Sequence, residues 1–128
     1  MKAYNAKDIR NIAIAGHSGR GKTTLAEAML FLAKATDRLG RVADGNTVLD
    51  FDAEEKRRKV TIATAMAAFD WNNTKINLLD TPGLFDFAGG VSEGMRAAES
   101  ALIVLAAGSG VDVGAEKAYK ADSERKIA

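Results

Sequence analysis

The chain has 128 residues, 47% of them hydrophobic and 27% charged, with one proline; this suits a single folded domain over 1–128 and excludes collagen-like and disordered classes. With 18 Lys+Arg against 17 Asp+Glu, a net charge of +1, no overall field draws it toward nucleic acid or anionic lipid. Cysteine is absent, which excludes disulfides and thiolate metal sites and suits a reducing compartment, the cytoplasm.

The opening MKAYNAKDIR lacks the apolar core of a secretory signal, and no run approaches the roughly 18 apolar residues of a membrane span. No membrane partner is expected. A glycosylation sequon at Asn72 reads more simply as a hairpin turn. RNIAIAG, residues 10–16, is a short β-branched and alanine run closed by glycine, and predicts a buried strand. From Lys22, KTTLAEAMLFLAKA places Leu25, Met29, Leu32 and Ala33 at helical spacing, with Gly40 available to end the segment.

Residues 41–59 lack a clean period and carry the turn signal ADGN and the charge run EEKRRK. They predict a long, partly helical loop, with the charges on a solvated face. VTIATAMAAFDW and TKINLLD follow as an antiparallel hairpin turned at Asn72 and Asn73. TPGLFDFAGG is a second glycine-bearing loop, VSEGMRAAES a short helix and ALIVLAA an apolar strand. VGAEKAYKADSERK reads as a last helix, loosely held from Tyr119 onward, and KIA as the start of another strand. Strands alternating with helices imply a three-layer α/β fold with a mostly parallel sheet and one antiparallel edge strand.

Gly16, Gly21, Lys22 and Thr23 satisfy G-x-x-x-x-G-K-[ST], the phosphate-binding loop of nucleotidases. Each residue type has a reason. Glycines let successive N–H groups point inward, the ammonium meets the β and γ phosphates, and the next hydroxyl ligates Mg²⁺. The new helix adds its positive N-terminal end. Residues 16–24, namely Gly16, His17, Ser18, Gly19, Arg20, Gly21, Lys22, Thr23 and Thr24, are therefore candidates for holding the nucleotide. A second carrier is INLLD, an apolar strand ending in Asp80, followed by Thr81, Pro82, Gly83 and Leu84. A carboxylate at a strand end beside a phosphate loop stands where Mg²⁺ needs an anion, and D-T-P-G is a GTPase switch signature in which the Gly83 N–H is free to meet the γ phosphate.

These motifs resemble the translational GTPases. GHSGRGKTTLAEAMLF, RRKVTIATA, KINLLDTPGLFDF and GVDVGAEKA fall in the order and spacing of the N-terminal G domain of elongation factor G and its relatives, over nearly the whole chain. The resemblance implies GTP and GDP as ligands, the ribosome as partner, and Thr61 as the first-switch threonine that closes over Mg²⁺. It makes Thr23, Thr61 and Asp80 the metal-binding set, and Lys22, Thr61 and Gly83 the catalytic one.

The chain also departs from that pattern. Elongation factor G has histidine after D-T-P-G, and this chain has Leu84, which cannot polarise water; turnover is expected to be weak or absent. Gly19 replaces an aspartate frequent in such factors. His17 stands at the family's own histidine position and reads as a packed loop residue, and Arg20 as a solvated loop arginine or a contact to phosphate or partner. The base-reading N-K-x-D is absent from the 128 residues. The expectation is an N-terminal part of a G domain that stops before the base-recognition strand, with ALIVLAA offering an unpaired edge for self-association. Two other readings stand beside GTP hydrolysis: a nucleotide-controlled ribosome-binding module with little catalysis, and a phosphate-loop ATPase or kinase.

Overall fold

The computed structural model describes residues 3–125. Four strands form one sheet in the order β2-β3-β1-β4, with β1 at Ile9–Ala15, β2 at Ala65–Trp71, β3 at Thr74–Asp80 and β4 at Ser100–Ile103. β1 runs parallel to β3 and β4, and β2 antiparallel to β3. The expected α/β architecture with one antiparallel edge strand is therefore present. Asn72 and Asn73 turn the hairpin with φ of 46° and 62°, the left-handed pair a two-residue hairpin needs.

Alternation along β1 builds two different cores. Ile14 packs on one face with Ala26 and Leu30 of α1, Lys22–Leu32, and with Leu78 and Phe69. Ala13 and Ala15 point the other way, toward Met95 of α3, Ala88–Ala97, and Ala118 of α4, Val113–Arg125. Small residues on that side let two helices lie close to the sheet, whereas the α1 side is filled by larger aliphatics. α1 leaves part of its own face bare. An apolar groove of about 420 Å³ lies there, lined by Met29, Leu32, Phe69, Trp71 and Leu102 among others.

Several boundaries differ from the sequence reading. α1 stops at Leu32, and Lys34 turns left-handed with φ 58°, so Gly40 is not its terminator. The second loop's glycines are partly helical: α3 begins at Ala88 and contains Gly89 and Gly90. A Cβ on Gly90 would stand 2.9 Å from the Pro82 ring, so helix and D-T-P-G loop touch through the missing side chain. α4 continues through Tyr119 to Arg125, so the segment after Tyr119 is ordered helix. The expected strand at KIA lies outside the described residues.

The larger correction concerns residues 33–64. β2 begins at Ala65 and not at Val60, and the preceding stretch carries a short helix α2, Ala53–Arg58. Buried carboxylates stand in for the strand bonds that this stretch lacks. Glu27 of α1 is fully buried, and its Oε1 accepts the N–H groups of Val48 at 2.7 Å and Leu49 at 3.0 Å. Glu55, 2% exposed, accepts the N–H groups of Ile62 and Ala63 on one oxygen, and that of Asp52 in a capping box on the other. Glu55 is thus not part of a solvated face, because the loop's backbone donors need an acceptor inside.

Glu27→Ala is expected to lower stability by about 2–4 kcal/mol in urea unfolding, since two inward N–H groups lose their acceptor. Glu27→Gln, which keeps an acceptor oxygen, is expected to cost less than half of that.

Candidate functional site

β1 and β3 lie side by side and end level, Ile14 being paired with Asp80. The two motif loops therefore leave the sheet at the same place, the crevice beyond the strand ends where α/β proteins place ligands. Gly16 is needed for close approach as well as for its φ of 137°: a Cβ there would stand 2.6 Å from the Val104 carbonyl oxygen beyond β4. Gly83 closes the gap from the other loop. Its carbonyl accepts the Ser18 N–H at 3.1 Å, and a Cβ would come within 2.7 Å of Ser18 Cα.

Lys22 opens α1, is 6% exposed, and donates from Nζ to the His17 carbonyl at 3.0 Å. Burial pushes its ammonium below the ordinary lysine value, against the pull of the Asp80, Asp112 and Asp50 carboxylates. Beside it, Thr23 donates to Asp80 Oδ2 at 2.6 Å, and Thr61 donates to Asp50 Oδ1 at 2.8 Å. The two hydroxyl oxygens lie 3.0 Å apart. All four residues are buried, and Asp80 Oδ1 has no hydrogen-bond partner among the described residues. Desolvation raises the Asp80 carboxyl to about 7, with Asp50 and Glu27 adding to the rise, while the Thr23 bond and Lys22 oppose it. The Asp50 carboxyl is also raised by burial, in opposition to its bond from Thr61.

Over these groups lies a cavity of about 180 Å³. Of the residues expected there, Ser18, Gly19, Gly21, Lys22, Thr23 and Thr24 line it from the first loop, with Thr61 and Gly83 facing them. Asp80 sits behind Thr23 rather than in the wall. Four further wall residues are not among those expected: Val42 and Asp50, outside the quoted motifs, and Lys59 and Val60, within RRKVTIATA. Asp50 stands in LDFD, a stretch with no periodicity, and only its burial against Thr61 marks it.

The remaining expected residues serve the frame. The Thr81 hydroxyl donates to the Ile14 carbonyl at 2.7 Å, and Pro82 is fully buried beneath Gly90. Leu84 lines a different cavity, between α3 and α4, together with Phe85 and Lys117. His17 packs as the plainer reading expected, its ring 5.6 Å from that of Phe85 and its backbone against Gly114. Arg20 lies outside the cavity wall and keeps 27% of its side chain exposed. Its Nε donates to Asp112 Oδ2 at 2.8 Å. Asp112 also accepts the Ala115 N–H at 3.0 Å at the start of α4, and that bond, followed by the one from Arg20, holds its carboxyl below the ordinary value.

Among the described residues no helix is long and apolar enough to cross a membrane. The chain is 48% identical to an elongation factor G-like protein of Mycobacterium tuberculosis over 104 residues, 81% of this chain and 15% of that one. It is 42% identical to the mitochondrial ribosome-releasing factor 2 of Yarrowia lipolytica over 97% of this chain and 16% of that protein. It thus spans about 15% of the length of these relatives. A crystal structure of a Thermus thermophilus protein matches with a TM-score of 0.88 and 40% identity, over 91% of this chain and 18% of that one. Elongation factor SelB of Methanococcus maripaludis, solved with the GTP analogue GppNHp, matches in fold with a TM-score of 0.68 at 24% identity, over 92% of this chain and 20% of its own. Residues 7–128 match the family model described as the elongation factor Tu GTP binding domain, and the chain belongs to that family.

Proposed function

We propose that this chain holds the phosphates of GTP with Mg²⁺ and forms the switch-bearing part, residues 1–128, of a GTPase that acts with the ribosome. The carrying observation is the meeting of three separate segments, through Thr23, Thr61 and Asp80, at one buried cluster of oxygens. The cluster suits a hard cation by proton accounting. Two hydroxyl protons serve three contacts, and with one aimed at Asp80 and the other at Asp50, the Thr23 and Thr61 oxygens face each other lone pair to lone pair. Mg²⁺ favours hydroxyl and carboxylate oxygens of this kind. Thr23, Thr61 and Asp80 would hold it, and the charge it would supply there would offset that of the phosphates.

This chain's own groups do the rest. Lys22, now spent on the His17 carbonyl, is free to exchange that weak partner for phosphate oxygens. Gly83, abutting Ser18, brings the second loop's backbone to the same place, so loss of the terminal phosphate loosens both loops. Ribosome association and guanine selectivity follow the relatives' names and the family, and not any contact in this chain.

Leu84 favours a second reading, a nucleotide-controlled ribosome-binding module with little catalysis. Its side chain lines the α3–α4 cavity, and the phosphate cavity carries neither histidine nor glutamine among its described lining. Self-association is a further reading of the bare sheet. β4 has no strand on its outer side among the described residues, and its Leu102 joins the apolar groove. Light scattering of the isolated chain at high concentration is expected to report a dimer or larger, and a monomer removes this reading.

In the full-length protein, Lys22→Ala is expected to weaken GTP binding by about a hundredfold or more, and unchanged affinity would sink the nucleotide reading. The same protein without ribosomes is expected to release phosphate slowly; cleavage that stays absent with ribosomes favours the module reading. Asp80 supplies a pH test. Its folded value of about 7 lies above the ordinary 3.8, so between these the folded state holds a proton that the unfolded state has lost. Ligand-free stability is therefore expected to fall as pH rises from about 4 to about 7. Asp80→Asn should flatten that slope and raise the melting temperature at pH 8, while abolishing the effect of Mg²⁺ on GTP affinity.

A further inference from the structure

The basic residues of the run EEKRRK do not all behave alike. Arg57 and Arg58 both turn onto Glu54 along exposed α2. Lys59 does not. Its N–H closes the helix onto the Glu55 carbonyl at 2.7 Å, and its φ of 59° is left-handed. Glycine is the usual occupant of that position, because a Cβ is crowded there. Lys59 lines the same cavity as Lys22 and Thr61. A missing side chain makes room for it: a Cβ on Gly45 would stand 2.9 Å from Lys59 Nζ.

No carboxylate pairs with Lys59 among the described residues, although three other cations in or near the two loops are engaged. Arg20 holds Asp112, and the α2 arginines hold Glu54. Lys22 and Lys59 are thus the cavity's two cations, against the single carboxylate of Asp50 in its wall. A polyphosphate carries several negative charges, and a half-enclosed cavity strengthens its attraction to an ammonium.

We propose that Lys59 is a second phosphate-binding cation, presented to the nucleotide's polyphosphate by the first switch segment and joined to its closure through Thr61 two residues later. A strained lysine where glycine would be relaxed is consistent with a side chain kept for binding. The proposal rests on the nucleotide reading above and adds to it a binding residue outside the phosphate loop and the D-T-P-G loop.

The test measures Mg²⁺–GTP affinity of the full-length protein at several salt concentrations, for Lys59→Met, Lys59→Gly, Lys59→Arg and Lys22→Ala, with thermal unfolding of each. Lys59→Met and Lys59→Gly are expected to weaken binding alike, by about three- to tenfold, because the ammonium is partly solvated. Both should reduce the salt dependence of affinity, and Lys59→Arg should stay within about twofold of the parent. Unchanged affinity in Lys59→Met, while Lys22→Ala loses binding, overturns the proposal and leaves the nucleotide reading standing. A change in Lys59→Gly alone also overturns it, since that variant differs in backbone strain. Failure of Lys22→Ala to weaken binding removes both readings together.

Discussion

The hydroxyl of Thr23 donating to Asp80 is the bond on which the remainder of the site depends. It ties the first residues of α1 to the last residue of β3 at 2.6 Å, with both side chains buried. Buried carboxylates are costly unless bonded, and this one keeps an unpartnered oxygen and a raised titration point even so. Such a group persists where its surroundings fix it. Here the fixing comes from parallel pairing of β1 with β3, which sets Ile14 opposite Asp80 and brings the two loops together.

From that bond the first switch segment is reached in one step. Thr61 lies against Thr23 and is held by Asp50, so residues far apart in the chain share one pair of hydroxyls. Among the described residues the segment has no sheet partners of its own. It is held by carboxylates, Glu27 from α1 and Glu55 from α2, each accepting backbone N–H groups in pairs. A loop secured by a few side-chain acceptors, with Leu49 as its fully buried apolar anchor, opens at lower cost than a strand, which suits the switch role proposed for it.

Side chains of the two loops are drawn toward α4 and the residues at its start. Arg20 pairs with Asp112, His17 packs on Gly114 and Phe85, and the Lys117 ammonium lies 4.3 Å from the centre of the Phe85 ring. Leu84 follows them into the α3–α4 cavity. These contacts stiffen the frame around the phosphate loop and leave the cavity's own charge to Lys22, Lys59 and Asp50.

The sequence by itself determined the strands, the order of elements, the hairpin at Asn72 and Asn73, and the loop and strand-end motifs. Those depend on local terms: side-chain period, glycine and asparagine conformations, and fixed spacing around one lysine. Tertiary structure alone decided that Glu55 in a charge run turns inward, that β2 starts after the threonine at 61 and not before it, and that Arg20 leaves the cavity while Asp50 and Lys59 enter it. Each of those outcomes depends on which donor, acceptor or charge another segment brings within hydrogen-bond reach, and that partner lies too far along the chain for any local pattern to register.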